Sequence, residues 1–431
     1  VITVFSERMN LVLGKLRASY WFIPGLMAGA AALGAFFSLK VDDVLKSSRL
    51  PEWMVFFSGG PDAARDVLSA VAGSIITVAG VTFSISMVVL SLASQQYGPR
   101  LLRNFMRDRS IHVAFGTFVA TFVYSLLILP STLSGDEAGR EAFTPRLGVT
   151  ISIALAICSV FVLIYFVHHT ARSIQASHIA ATTCDELLET IRSLNGPQPE
   201  NNDSRNDGKV WTLDSDSIPV CSRSAGYLQA CNLNELVTLA TEYDVMIEII
   251  VRPGSFITQD DALARVSGKK INRESLTPAI CESFILGTER TMEQDLEFGF
   301  HMLVEMAVRA LSPSLNDPYT ALQCIDYLRS AFQTMMHLPQ QSPLHKDAQG
   351  SIRVIQPILG VSDVLSSTIP HLHHYARNAP MVLKGLTQML ECLKADAGGG
   401  EVLDIIEELQ AQISKSLDAC QAHGSSAQAS P

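Results

Sequence analysis

The chain has 431 residues, 48% of them hydrophobic and only 17% charged, with a net charge of −10 and a mean hydropathy of +0.24. That is too apolar for an ordinary water-soluble enzyme, and the length allows two or three domains. The first 167 residues carry 13 Lys and Arg against 10 Asp and Glu, which leaves 19 against 32 for the rest, so an acidic second half excludes a polyphosphate such as nucleic acid as partner. Eight cysteines stand singly with no C-x-x-C pair, the usage of a reducing compartment and not of a disulfide or zinc scaffold.

A short N-terminal arm, residues 1–19, precedes four apolar segments that form a transmembrane domain over residues 20–167: Tyr20–Leu39, Leu68–Ala93, Ile111–Leu133 and Leu147–Val167. Each meets the requirement of about 20 apolar residues to cross about 30 Å of hydrocarbon, and none has a charge in its interior. The first apolar run continues past Ala28-Gly29-Ala30 to Leu39, so it reads as an uncleaved span and not a signal peptide. Arg8, Lys15 and Arg17 before the first span, and Arg100, Arg103, Arg107 and Arg109 between the second and third, share one side. The other two links dilute their cations with acids, so the positive-inside rule places both termini in the cytoplasm.

The second span carries a small, mildly polar stripe at helical spacing: Gly73, Thr77, Gly80, Ser84 and Ser91. Two readings stay open. Small residues let helices approach closely and hydroxyls bond between them; alternatively, several copies present these hydroxyls to a water-filled path. Gln96, Tyr97, Arg100 and Arg103 would form a polar and basic collar at the cytoplasmic mouth, although the positive-inside rule already accounts for the arginines.

A connecting helix is expected over 168–195, followed by a disordered linker over 196–208, where Gly196-Pro197-Gln198-Pro199 opens a stretch with almost no apolar residue. Residues 209–275 read as a small α+β module. Its strands are expected at Ile218–Cys221, Tyr227–Leu228 and Val245–Val251, its helix near Leu233–Tyr243, and further pairing at Ile257 and Ala262–Val266 beyond a turn at Arg252-Pro253-Gly254. A helical region fills 276–421. Thr291 and Gln294 have the spacing of a capping box before a long helix, Asp317 and Pro318 the cap and first position of the next, and a disordered tail is expected over 422–431. The fold class is thus a mainly α membrane protein with a cytoplasmic α+β module and helical region.

Chemistry is sparse. His371 and His374 would share a helix face, but no carboxylate or cysteine is spaced to complete a metal set, so neither metal nor cofactor is expected. The acids around Glu289–Glu297 suit a helix N-terminus better than acid–base catalysis, and no nucleotide, hydrolase or metalloprotease motif is present, which argues against an enzyme. A possible site in the cytoplasmic region comprises Arg290, Glu293, Asp295, Asn316 and Asp317.

Thr82-Phe83-Ser84-Ile85-Ser86 and Ser94-Gln95-Gln96-Tyr97-Gly98-Pro99-Arg100 resemble a bacterial family of predicted membrane proteins known only as a domain of unknown function, number two thousand two hundred and fifty-four. The likeness continues through Ser224–Gln229, Val251–Gly254, Glu289-Arg290-Thr291 with Gln294-Asp295, and Ala310–Pro313 with Asn316–Pro318. It implies a multi-pass protein of the bacterial inner membrane with this two-part plan, and no established activity. The first expectation is an oligomeric, channel-like protein with a pore lined by the second span and gated by the cytoplasmic domain, conducting some small ion. The alternative is a membrane-anchored scaffold or ligand-sensing protein with no permeation path.

Overall fold

The computed structural model describes residues 21–44, 57, 59–97, 109–132, 144–173, 175–194, 217–268, 273–339 and 342–428. The chain divides into two units, Val1–Gln175 and Ala176–Pro431. The N-terminal arm and the linker over 196–208 lie outside the described residues.

In the first unit, helices α1 (Phe22–Val44), α2 (Pro61–Tyr97), α3 (Arg109–Ile128) and α4 (Arg146–Ser173) provide four spans long and apolar enough to cross a membrane. Helix α3, continued by a 3-10 turn at Leu129–Ser131, packs against each of the other three and is the most buried of them. Its sequence explains why. Gly116 lets α1 approach so closely that a Cβ there would press on Met27 Sδ and Pro24 Cα. Hydroxyls then tie the helices together where no water competes: Thr121 to Ser159 at 3.1 Å, Ser125 to Ser152 at 2.8 Å, and Tyr124 donating to Ser38 at 2.9 Å.

One end of this bundle is fixed by a carboxylate. Asp42, buried near the end of α1, accepts the backbone N–H groups of Leu147 at 3.1 Å and Gly148 at 3.0 Å, the first turn of α4. An anion satisfies helix N-terminal donors that hydrocarbon would leave unpaired. Arg65 adds a bond to the Thr132 carbonyl at 3.2 Å.

The second unit opens with α5 (Ala176–Leu194), so the connecting helix expected over 168–195 is two pieces, its first residues belonging to α4. The expected α+β module follows: β1 (Ile218–Cys221), β2 (Gly226–Cys231), α6 (Leu233–Glu242), β3 (Met246–Ile249), β4 (Phe256–Ile257), β5 (Ala262–Ser267) and α7 (Arg273–Glu282). After it come β6 (Phe284–Gly287), α8 (Leu296–Ala310), α9 (Pro318–His337), β7 (Leu344–Lys346), β8 (Ile352–Ile355), α10 (Val361–Ala376), α11 (Pro380–Asp396) and α12 (Glu401–Gln428). The last helix therefore runs past residue 421, where a tail was expected.

The region read as helical also supplies strands. One sheet has the order β1-β5-β3-β8-β7, with β8 parallel to β3 and the other pairs antiparallel; the other has the order β4-β2-β6. Alternation along β3 and β5 turns Ile247, Ile249, Ala264 and Val266 to one face, in a core that also takes in Leu263 and, from the flanking helices, Leu236, Leu276 and Ile280. The β7–β8 hairpin turns at Gly350, with φ +83°, and Asp347 organises it by accepting from Gln349, Ser351 and Arg353. Helices α8 and α9 form a second centre, where Phe300 and Phe332 pack with ring centroids 4.5 Å apart.

Replacing Asp42 with Ala leaves the α4 N-terminus uncapped, and we expect a loss of about 1–2 kcal/mol. Thermal unfolding of the full-length protein in detergent should show a lower midpoint for Asp42→Ala and a smaller drop for Asp42→Asn, whose amide oxygen still accepts. An unchanged midpoint in Asp42→Ala would remove the cap from the account.

Candidate functional site

The segment Glu289–Asp295 joins β6 to α8 and is held from three directions. Arg290 meets Asp295 with two parallel bonds, Nε to Oδ2 at 2.7 Å and Nη2 to Oδ1 at 3.0 Å. The geometry is the bidentate fork that guanidinium and carboxylate favour. Asp295 is almost fully buried and also accepts the Phe298 N–H at 3.1 Å, so it is the N-cap of α8. This corrects the expected capping box at Thr291. Gln294 instead reaches β2 and binds both backbone groups of Cys231, accepting its N–H at 2.9 Å and donating to its carbonyl at 3.2 Å. The outward side chain of Glu293 takes no part.

Opposite this segment stands the Arg252-Pro253-Gly254 turn. Gly254 has φ +90°, and a Cβ there would overlap the Asp295 carboxylate and crowd Arg290. Only glycine lets the turn close on the ion pair. The turn does link strands, as expected, but β3 and β4 belong to different sheets, and the turn borders a cleft of about 330 Å³. Arg290, Gln294, Asp295 and Glu297 form one side of that cleft, and the stretch Gln356–Leu359 with Val361 another. Leu233, Ile249, Val251 and Met335 contribute apolar surface.

The two arginines differ in availability. Arg290 lies 5.3 Å from the Phe298 ring centre and 4.0 Å from Glu297, in addition to its Asp295 fork. Arg252 has a 3.4 Å pairing with Asp363 on α10, and both side chains are about half exposed. Asp363 is itself held by the Gly360 N–H at 3.0 Å. Burial pushes the Asp295 carboxyl above the usual carboxylate range, with Arg290 and the Phe298 N–H opposing it. Glu297 is held down at about 2, chiefly by its bond to His301, helped by Ser367 and the Arg290 charge.

The other expected site residues are elsewhere. Asp317 caps α9, accepting the Thr320 N–H at 3.1 Å and its hydroxyl at 2.6 Å. Asn316 takes φ +43° in the loop before it. Neither residue lines the cleft, so the five-residue cytoplasmic group divides into Arg290 and Asp295 at the cleft, exposed Glu293, and a separate pair that shapes a helix start. The expected site group left out Gly254, Glu297, Gln356–Leu359 and Asp363. Of these, Gly254 had a local signal in its Pro-Gly pair, and Glu297 and Asp363 had one as acids in the first turn of a helix.

On α2, Ala64, Leu68, Ala72, Ile75, Ala79, Thr82 and Val89 are the buried face. Gly73, Thr77, Gly80, Ser84 and Ser91 lie on the exposed face, so packing within the protomer does not explain the stripe. Thr77 and Ser84 donate to the carbonyls of Gly73 and Gly80, four residues back, at 2.8 and 3.0 Å. Of the expected mouth, Gln96 and Tyr97 have only their helical backbone described, and Arg100 and Arg103 lie outside the described residues. His373 faces Ser416 at 2.9 Å, while His371 and His374 stack edge-on against Tyr375.

Four spans followed by a mixed α+β and helical unit define a multi-pass integral membrane protein. The chain belongs to the family described as predicted membrane protein (DUF2254), which it matches over residues 17–392. It is 31% identical over 399 residues to uncharacterised proteins of Mycobacterium bovis and of Mycobacterium tuberculosis strain H37Rv, an overlap covering 91% of this chain and 74% of each relative. No solved structure matches it.

Two outcomes follow from the cleft geometry. Gly254→Ala forces a Cβ into the ion pair at a left-handed φ, so we expect at least about 2 kcal/mol of destabilisation in denaturant titrations. Glu297 has its folded pKa depressed, so its contribution to stability is complete above its ordinary value of 4.5 and is lost as pH falls toward about 2. Unfolding curves measured across that interval should flatten in Glu297→Gln; an unchanged pH slope would contradict the assignment.

Proposed function

We propose that this chain is a membrane-anchored binding protein of the bacterial inner membrane. In this reading both termini face the cytoplasm, and the cleft beside Arg252, Pro253 and Gly254 takes a small acidic ligand. The observation that supports the reading is convergence. Four separated stretches, Arg252–Ser255, Arg290–Glu297, Cys231–Leu233 and Gln356–Val361, surround one cleft of about 330 Å³, within the size of small-molecule sites. Arg290 is committed to its carboxylates, whereas the half-exposed Arg252–Asp363 pair is exchangeable, since a surface ion pair contributes at most about 1 kcal/mol. A ligand carboxylate or phosphate replaces Asp363 as the partner of Arg252. Asp295, held by the Arg290 fork and the α8 N-terminus, is poorly placed to act as a catalytic acid or base, which favours binding over catalysis.

A second reading has its own support. The Gly73, Thr77, Gly80, Ser84 and Ser91 face is left uncovered by the protomer, as it would be if several copies met there around a narrow path with the second unit as gate.

Thermal shifts of the full-length protein, measured against a panel of small carboxylates and phosphates, separate the two. A stabilisation that Arg252→Ala abolishes while the unliganded midpoint stays put supports the cleft. No shift with any member, or a shift that survives in Arg252→Ala, counts against it. For the second reading, proteoliposomes under potassium and chloride gradients should show a flux that Ser84→Leu abolishes, and the absence of wild-type flux rejects it.

A further inference from the structure

Cysteines that are 60 positions apart in sequence meet in the second unit. Cys221 ends β1, and Cys281 lies in the last turn of α7. The Cys281 thiol donates to the Cys221 carbonyl oxygen at 3.3 Å, and a charge on the Cys221 sulfur would be felt by Cys281. Both residues are partly exposed. The strand register shifts between Val220 and Cys221, so this end of β1 has the freedom of a bulge, not the rigidity of a regular ladder.

We propose that Cys221 and Cys281 are a modification site, a thiol pair that a peroxide oxidises to a reversible intrachain disulfide. The Cys281 sulfur attacks one peroxide oxygen as its thiolate. The O–O bond breaks, and a sulfenic acid forms as the other oxygen leaves and is protonated to water. The Cys221 sulfur then attacks the sulfenic sulfur; the S–S bond forms and hydroxide leaves, taking a proton to become the second water. Two thiols lose two electrons in total, and one peroxide gains them. The Arg223 guanidinium favours the attacking thiolate, against the burial that pushes its pKa up.

Three of the other cysteines are less accessible than the pair. Cys184, Cys231 and Cys324 are buried, and burial pushes their thiols to about 11, 12 and 12. They are protonated and shielded from oxidant. The bond, once formed, would tie β1 to α7, the helix that leads into β6 and the Arg290 segment. It closes a long loop, the condition under which a cross-link most restricts the unfolded chain. This inference stands on the thiol geometry and is independent of any ligand in the cleft.

The full-length protein in detergent is treated with hydrogen peroxide, alkylated, digested without reductant and mapped by mass spectrometry. The expected result is a linked peptide containing Cys221 and Cys281. It disappears on adding dithiothreitol and is absent from Cys221→Ser and from Cys281→Ser. The unfolding midpoint of the wild type should rise by about 5 °C on oxidation. Recovery of both cysteines as separately alkylated peptides, or oxidation of Cys281 to a sulfinic acid without a linked peptide, overturns the proposal. The wild-type map alone decides this, so the outcome does not depend on whether either serine variant folds.

Discussion

The arrangement around the cleft depends on one buried carboxylate, Asp295. Asp295 receives two guanidinium N–H groups from Arg290 and the Phe298 backbone N–H in the first turn of α8, and it lies where a side chain at position 254 would have to go. Taking that acid out of water is costly unless charge and hydrogen bonds replace its hydration. The requirement therefore fixes several things together: the direction in which α8 starts, the path of the segment before it, and the close approach of the turn after β3. With Gln294 clamped to the end of β2 at Cys231, the smaller sheet, the turn and the helical layer are held in one arrangement. The cleft is the space this arrangement leaves.

The first unit meets a different constraint with different means. Hydrocarbon gives apolar side chains no reason to prefer each other over lipid, so close backbone approach and shared hydroxyls do the work. Helix α3 provides both. Gly116 admits α1, while Thr121, Ser125 and Tyr124 reach hydroxyls on α4 and α1. Asp42 bonds across this bundle, and it is placed at a helix N-terminus, where a negative charge is tolerated.

Much of this was legible in sequence because the signals were local. Length and apolarity gave the four spans, alternation gave β1, β3 and β5, and Asp317-Pro318 gave the start of α9 correctly. The errors came where a local pattern had a better long-range partner. Gln294 fits a capping box, yet two backbone bonds to Cys231 outweigh one to its own helix, and the cap passes to Asp295. Strands β7 and β8 are three and four residues long, too short for periodicity to distinguish, and β8 becomes a strand by joining β3 in parallel. The stripe on α2 was visible as a stripe, but its position on the uncovered face could be known only once α3 had taken the other side. The grouping of Arg290 with Asn316 joined residues that are near in sequence but shape separate places.

Helix α2 has one more physical property. Its candidate span, Pro61–Leu92, is 32 residues long, and even without its first turns, where Asp62, Arg65 and Asp66 stand, the charge-free part over 67–92 is 26 residues, about 39 Å against about 30 Å of hydrocarbon. The excess has to be absorbed by tilt or by ends that project into the headgroups. A tilted helix changes its angle when the bilayer thins or thickens, and its glycine and hydroxyl face turns with it. The length of this one helix thus links the direction of that face to the thickness of the bilayer around it.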